Sequence, residues 1–125
     1  MSKEKLNMSD YNLYLKGVIS MIEKIENSII NKTFEDFVGD SNLFDATLMR
    51  LHFIGETIKS VPFSLKKNYK EIRWRKFARL RNIIGHRYSD VNKNIIWDAL
   101  KALSELKVQI RDILDKEDKI GNVNK

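Results

Sequence analysis

A chain of 125 residues, 42% hydrophobic and 32% charged, has the size of one domain and the balance of a packed globule, which excludes two independent cores and a disordered chain. The lack of any cysteine excludes a disulfide framework, a thiolate zinc site and a cysteine nucleophile. The net charge of +6, from 23 Lys and Arg against 17 Asp and Glu, modestly favours a polyanionic partner, although the lysines are spread along the chain.

From the N-terminus, Met1-Ser2-Lys3-Glu4-Lys5 leads directly into a polar helical pattern. It carries no apolar leader, and no run in the chain is apolar enough to span a bilayer, so a cytoplasmic protein without membrane contact is expected. The first helix places Met8, Tyr11, Leu15, Val18, Ile22, Ile25 and Ile29 at steps of three and four, the stripe a bundle helix presents to its neighbours. Asn31-Lys32-Thr33 breaks that pattern. Thr33 with Asp36 three residues on predicts a capped short turn that sets Phe34 and Phe37 against the bundle as a hydrophobic plug.

A second helix is expected from Asp40 or Ser41, carrying Phe44, Leu48, Leu51, Ile54 and Ile58 until Pro62 stops it. Within it, Gly55 marks a close helix contact. The neighbouring Glu56 reads either as an exposed or salt-bridged acid or as a buried one with a functional partner, and His52 as a lone surface or satisfied histidine with nothing at ligand spacing. The third helix is predicted over about 73–84, with Trp74, Phe77, Leu80 and Ile84 inward and Arg73, Arg75, Lys76 and Arg79 outward. Ser89, Asp90 and Asn92 are cap-type residues ahead of a fourth helix bearing Ile96, Leu100, Leu103, Ile110 and Ile113. From about residue 115 the chain is polar and reads as a fraying tail. The expectation is a single all-α domain over residues 1–125, an antiparallel bundle of four main helices.

Between helices three and four lie Arg81, Asn82, His86 and Tyr88. At about 100° per residue, Arg81 and Tyr88 would stand about 20° apart on an unbroken helix, but Arg81 and His86 about 140°. Gly85 is therefore expected to end the helix in a left-handed conformation and turn His86 back toward Arg81. Cleaving RNA without a metal needs a group to move protons at the 2′-OH or the leaving 5′-oxygen, and a fixed cation for the phosphoryl oxygens; histidine and arginine supply these. Asn82 can orient either. By spacing alone, the same cations also suit a plain role at the carbonyl end of helix three, where the dipole favours them.

The run Arg81-Asn82-x-x-x-His86-x-Tyr88 resembles the Arg-x-x-x-x-His-x-Tyr motif of HepT-like toxins, a branch of the HEPN (higher eukaryotes and prokaryotes nucleotide-binding) ribonuclease superfamily. The resemblance extends over most of the chain: the long first helix, Thr33-Phe34-Glu35-Asp36-Phe37, Asp45-Ala46, Ile54-Gly55-Glu56, Trp74 ahead of Leu80-Arg81-Asn82, and Asn94-Ile95-Ile96-Trp97. Gly85 departs from it, often having a bulkier apolar counterpart there.

The resemblance implies a HEPN-like homodimer whose two motifs face one cleft and cut RNA such as tRNA or mRNA, needing no metal or cofactor. Arg81 and His86 would be catalytic, with Asn82 in support. It also implies a toxin–antitoxin pair, in which an MntA-like nucleotidyltransferase antitoxin moves AMP from ATP onto Tyr88. The added phosphates would then occupy the cations that RNA uses. The alternative is a non-catalytic helical module that docks the nucleotidyltransferase and binds nucleotide or nucleic acid; a third reading is a purely structural bundle in which Tyr88 packs between helices.

Overall fold

The computed structural model describes residues 8–86 and 90–123, which form seven helices and no strand. The elements are α1 (Met8–Ile29), α2 (Phe34–Gly39), α3 (Ser41–Ser60), α4 (Phe63–Lys66), α5 (Trp74–His86), α6 (Lys93–Lys101) and α7 (Leu103–Val123). The all-α expectation holds, with the four predicted helices appearing as α1, α3, α5 and the pair α6–α7.

Local chemistry places the first boundaries as the residues dictate. Thr33 Oγ1 accepts from the Asp36 N–H at 3.1 Å and Asp36 Oδ2 accepts from the Thr33 N–H at 3.0 Å, a reciprocal capping box that starts α2. It delivers Phe37, fully buried, onto Phe44 and Trp97 with ring centroids 5.3 and 5.2 Å away, while Phe34 meets Trp97 edge-on. Thr33→Ala should lower the thermal midpoint by about 3–5 °C, the loss of about 1 kcal/mol of capping, followed by circular dichroism. Asp40 Oδ1 caps α3 through the Leu43 N–H at 3.0 Å, and α3 gives way at Val61, just before Pro62.

Packing follows the apolar stripes. Leu15, Val18, Ile22 and Ile25 of α1 meet Leu48, Leu51, Ile54 and Ile58 of α3 and Leu103, Leu106, Ile110 and Ile113 of α7 in one core. Residue pairings give the helix directions. Gly55 lies against Arg81 and Phe77 whereas His52 lies against Gly85, so α3 and α5 run antiparallel. Glu26 pairs with Lys107 at 2.5 Å and Glu23 with Arg111 at 3.4 Å, so α1 and α7 do too.

Three boundaries differ from the sequence expectation. The fourth helix is broken at Ala102, whose N–H bonds to the carbonyls of both Ala99 and Leu100. Its apolar stripe continues unbroken across that point, and no glycine or proline marks it. The polar stretch from residue 115 continues as helix to Val123, because it still has a partner. Tyr69 donates its hydroxyl to Glu117 Oε1 at 3.0 Å, and burial, with that carboxylate beside it, pushes the phenol up to about 12. Finally, α5 does not stop at Ile84 but runs through Gly85 to His86.

Candidate functional site

The site is built on the crossing of α3 and α5. Phe77, Leu80 and Ile84 bury one side of α5, and Arg73, Arg75, Lys76 and Arg79 are exposed, as their spacing predicts. Trp74 is half-buried and donates its indole N–H to the Tyr69 carbonyl at 3.0 Å. On α3, His52, Gly55 and Glu56 occupy positions i, i+3 and i+4, one face. That face meets α5.

Gly55 is what permits the approach. A Cβ there would stand 2.4 Å from Arg81 Cβ and 2.9 Å from the Phe77 carbonyl oxygen, closer than real atoms pack, so only glycine lets the stem of Arg81 pass. The guanidinium is then held at two points. Its Nε donates to Glu56 Oε1, and its Nη1 donates to Asn82 Oδ1 at 2.7 Å. Glu56 is therefore salt-bridged. With the Glu56 side chain 45% exposed and that of Arg81 27%, solvent screening leaves the pair little net stability. Its effect is orientation: two of the fork's nitrogens are fixed, and neither bond uses Nη2.

The expected turn at Gly85 is absent. Gly85 is helical, and no glycine among the described residues has a positive φ. A Cβ on Gly85 would touch His52 Nε2 at an ordinary 3.7 Å, so the position needs neither a left-handed conformation nor unusual closeness. Helical packing against α3 simply outweighs glycine's propensity cost of about 1 kcal/mol. Arg81 and position 86 thus stay about 140° apart around one continuous axis.

The link between them is Asn82. It stands one turn before position 86 and about 40° from it, and the guanidinium of Arg81 reaches round to its amide. Arg81 and Asn82 are brought together directly. For His86 the description covers the backbone, which lies in α5, and Tyr88 lies outside the described residues.

Two features of the site were not legible from residue types alone. His52, read as a lone histidine, is half-buried against the last turn of α5, where it joins Asp45, Leu48, Met49, Ile84 and Gly85 around a shallow pocket of about 510 Å³. Glu56 takes the salt-bridged state of its two alternatives, and its sequence spacing to Gly55 and His52 is the signal that it faces α5. Among the described residues, no three His, Asp or Glu side chains gather so as to hold a metal ion, and no helix is long and apolar enough to cross a membrane.

The family model for ribonuclease HepT-like proteins matches residues 18–113. A protein of Methanocaldococcus jannaschii named "Gamma-glutamylcyclotransferase and putative RNase" is 34% identical over 114 residues, covering 90% of this chain and 51% of that protein, so the chain spans about half its length. One from Caldanaerobacter subterraneus subsp. tengcongensis named "Putative RNase" is 34% identical over 105 residues, covering 83% of this chain and 94% of the relative. A third, "Probable ribonuclease HepT" of Thermococcus cleftensis, is 35% identical over 88 residues, covering 70% and 80%. No solved structure matches the chain.

Proposed function

The chain belongs to the HepT-like ribonuclease family, and from that membership we propose that it is a metal-independent endoribonuclease with Arg81 and His86 as its catalytic pair and Asn82 in support. The observation that carries this reading is the tethering of the Arg81 guanidinium by Glu56 and Asn82, which aims a fixed cation round α5 toward the face of residue 86. A cation preorganised in this way stabilises charge on a phosphoryl group without reorganising during the reaction.

The chemistry is an internal transfer. The 2′-oxygen forms a bond to the adjacent phosphorus as its proton is removed, the bond from phosphorus to the 5′-oxygen breaks, and that oxygen takes up a proton. Imidazole serves at either end of this exchange. Two copies of the chain facing one cleft bring two imidazoles, one to accept and one to donate. Exposed Met49 and Phe53 on α3, with Leu13 and Tyr14 on α1, support a dimer, because Met49 borders the His52–Gly85 pocket and Phe53 packs on Gly17.

In this reading the protein is the toxin of a toxin–antitoxin pair, and an MntA-like nucleotidyltransferase silences it. The Tyr88 hydroxyl attacks the α-phosphorus of ATP, an oxygen–phosphorus bond forms, and pyrophosphate leaves. The attached phosphate then satisfies the cations that substrate RNA would use.

Purified protein incubated with single-stranded RNA in EDTA should produce fragments, and RNA left intact would overturn the activity. Coexpression with the nucleotidyltransferase should add multiples of AMP to the Tyr88 peptide by mass spectrometry, and an unmodified Tyr88 would overturn the control mechanism. Glu56→Gln keeps the size of the side chain and removes its charge. It should slow cleavage about tenfold, by about 1.4 kcal/mol, through kcat rather than KM, since Glu56 positions Arg81 without reaching substrate.

A further inference from the structure

Where the chain passes from α4 into α5 it forms a groove of about 530 Å³. Its lining includes the cations Lys66, Lys67, Lys70, Arg73 and Arg75 and no acid. Five positive charges around one concavity give a local positive potential that attracts a polyanion. Two aromatic rings complete it. Phe63 is 77% exposed, and Trp74 lies beneath the Lys66 ammonium at 5.8 Å from its ring centre. Burial in the groove also lowers the pKa of Lys66.

A phenylalanine exposed beside a basic groove costs solvation unless something covers it. An acidic protein would meet the charges but has no general use for the ring. A single RNA strand uses both, with phosphates on the lysines and arginines and a base stacked on the aromatic face. The groove also leads somewhere. On α5, Arg75, Arg79, Asn82 and position 86 fall within about 60° of one another around the axis, and Trp74 is about 18 Å from position 86 along it. Arg75 belongs to the groove and Asn82 to the candidate site, so one face of one helix joins them.

We propose that the α4–α5 groove is a binding site for single-stranded RNA, which holds a segment of the substrate strand upstream or downstream of the scissile phosphate and feeds it along the Arg75–Arg79–Asn82 face. The proposal rests on the ribonuclease reading for its biological purpose, but its binding test does not depend on cleavage.

The probe is a fluorescein-labelled 2′-O-methyl oligouridine 20-mer, which lacks the attacking hydroxyl, titrated by anisotropy over a series of salt concentrations. Lys67→Gln/Lys70→Gln should weaken binding about tenfold at 0.1 M salt and reduce the slope of log K against log salt by about 1.4, two phosphate contacts on a single strand. Phe63→Ala should weaken binding about fivefold or more and leave that slope unchanged. All three positions are exposed, and thermal midpoints within about 2 °C of wild type would show that the fold is kept. Wild-type affinity in both variants overturns the groove, as does a Phe63→Ala protein that binds normally while the lysine variant does not. Polyglutamate competing as well as oligouridine, charge for charge, would mark a generic acidic-partner site and also overturn it. A wild-type protein that cleaves RNA while both groove variants bind normally removes the groove alone. One that binds through the groove but cuts nothing removes the ribonuclease reading and leaves the groove standing.

Discussion

Arg81→Ala and His86→Ala are each expected to lower the single-turnover rate of RNA cleavage by about 10³-fold, with thermal midpoints showing whether either change disturbs the fold. Loss of a preorganised phosphoryl donor and loss of a general acid or base each have this size. Arg81→Lys is the sharper variant. It keeps the charge but loses the planar fork, so donors to Glu56, Asn82 and a phosphate would all have to radiate from one nitrogen in place of the separate Nε, Nη1 and Nη2. About 10²-fold should remain lost. A lysine enzyme that cuts RNA at the arginine rate would show that charge alone suffices and that the tether has no catalytic role.

The second large effect is structural. Gly55→Ala places a methyl 2.4 Å from Arg81 Cβ and 2.9 Å from a backbone oxygen of α5, and neither neighbour is the far end of a flexible chain. The two helices must separate. Overpacking of this kind costs about 1–3 kcal/mol even after the roughly 1 kcal/mol that alanine returns in helix propensity. The thermal midpoint should fall by about 10 °C, and cleavage should fall with it because Arg81 moves. Gly85→Ala is the control with the opposite sign. Its Cβ would meet His52 at an ordinary distance on a helical backbone, so the same propensity term acts unopposed and the midpoint should rise by about 2–4 °C. A fall at Gly85 would restore the left-handed cap that the spacing of the motif suggested.

That pair of glycines shows what a sequence reading can and cannot reach. Caps are local events, and Thr33 with Asp36, Asp40 before α3 and Asn92 before α6 were legible because donor and acceptor lie within three or four residues. The apolar stripes were legible because burial repeats with the helical period. Gly55 was recognisable as a contact, but not what it contacts. The pairing of Glu56 with Arg81 spans 25 residues and depends on the register of α3 against α5, which no local pattern encodes. At Gly85 the motif's spacing predicts the bend that convergence of Arg81 and His86 requires, whereas the chain keeps the helix and lets a long side chain reach round it to Asn82. The break at Ala102 had no punctuating residue at all.

The wedging of Arg81 beneath Gly55 restricts how such a molecule can be turned off. An inhibitor that worked by distant rearrangement would need to slide α5 along α3, and the base of the arginine is in close contact with α3 at Gly55. Allosteric withdrawal of the fork would therefore cost the integrity of the domain. Occlusion, a bulky anion laid over the guanidinium from outside, leaves the scaffold untouched and can be reversed simply by removing the cover.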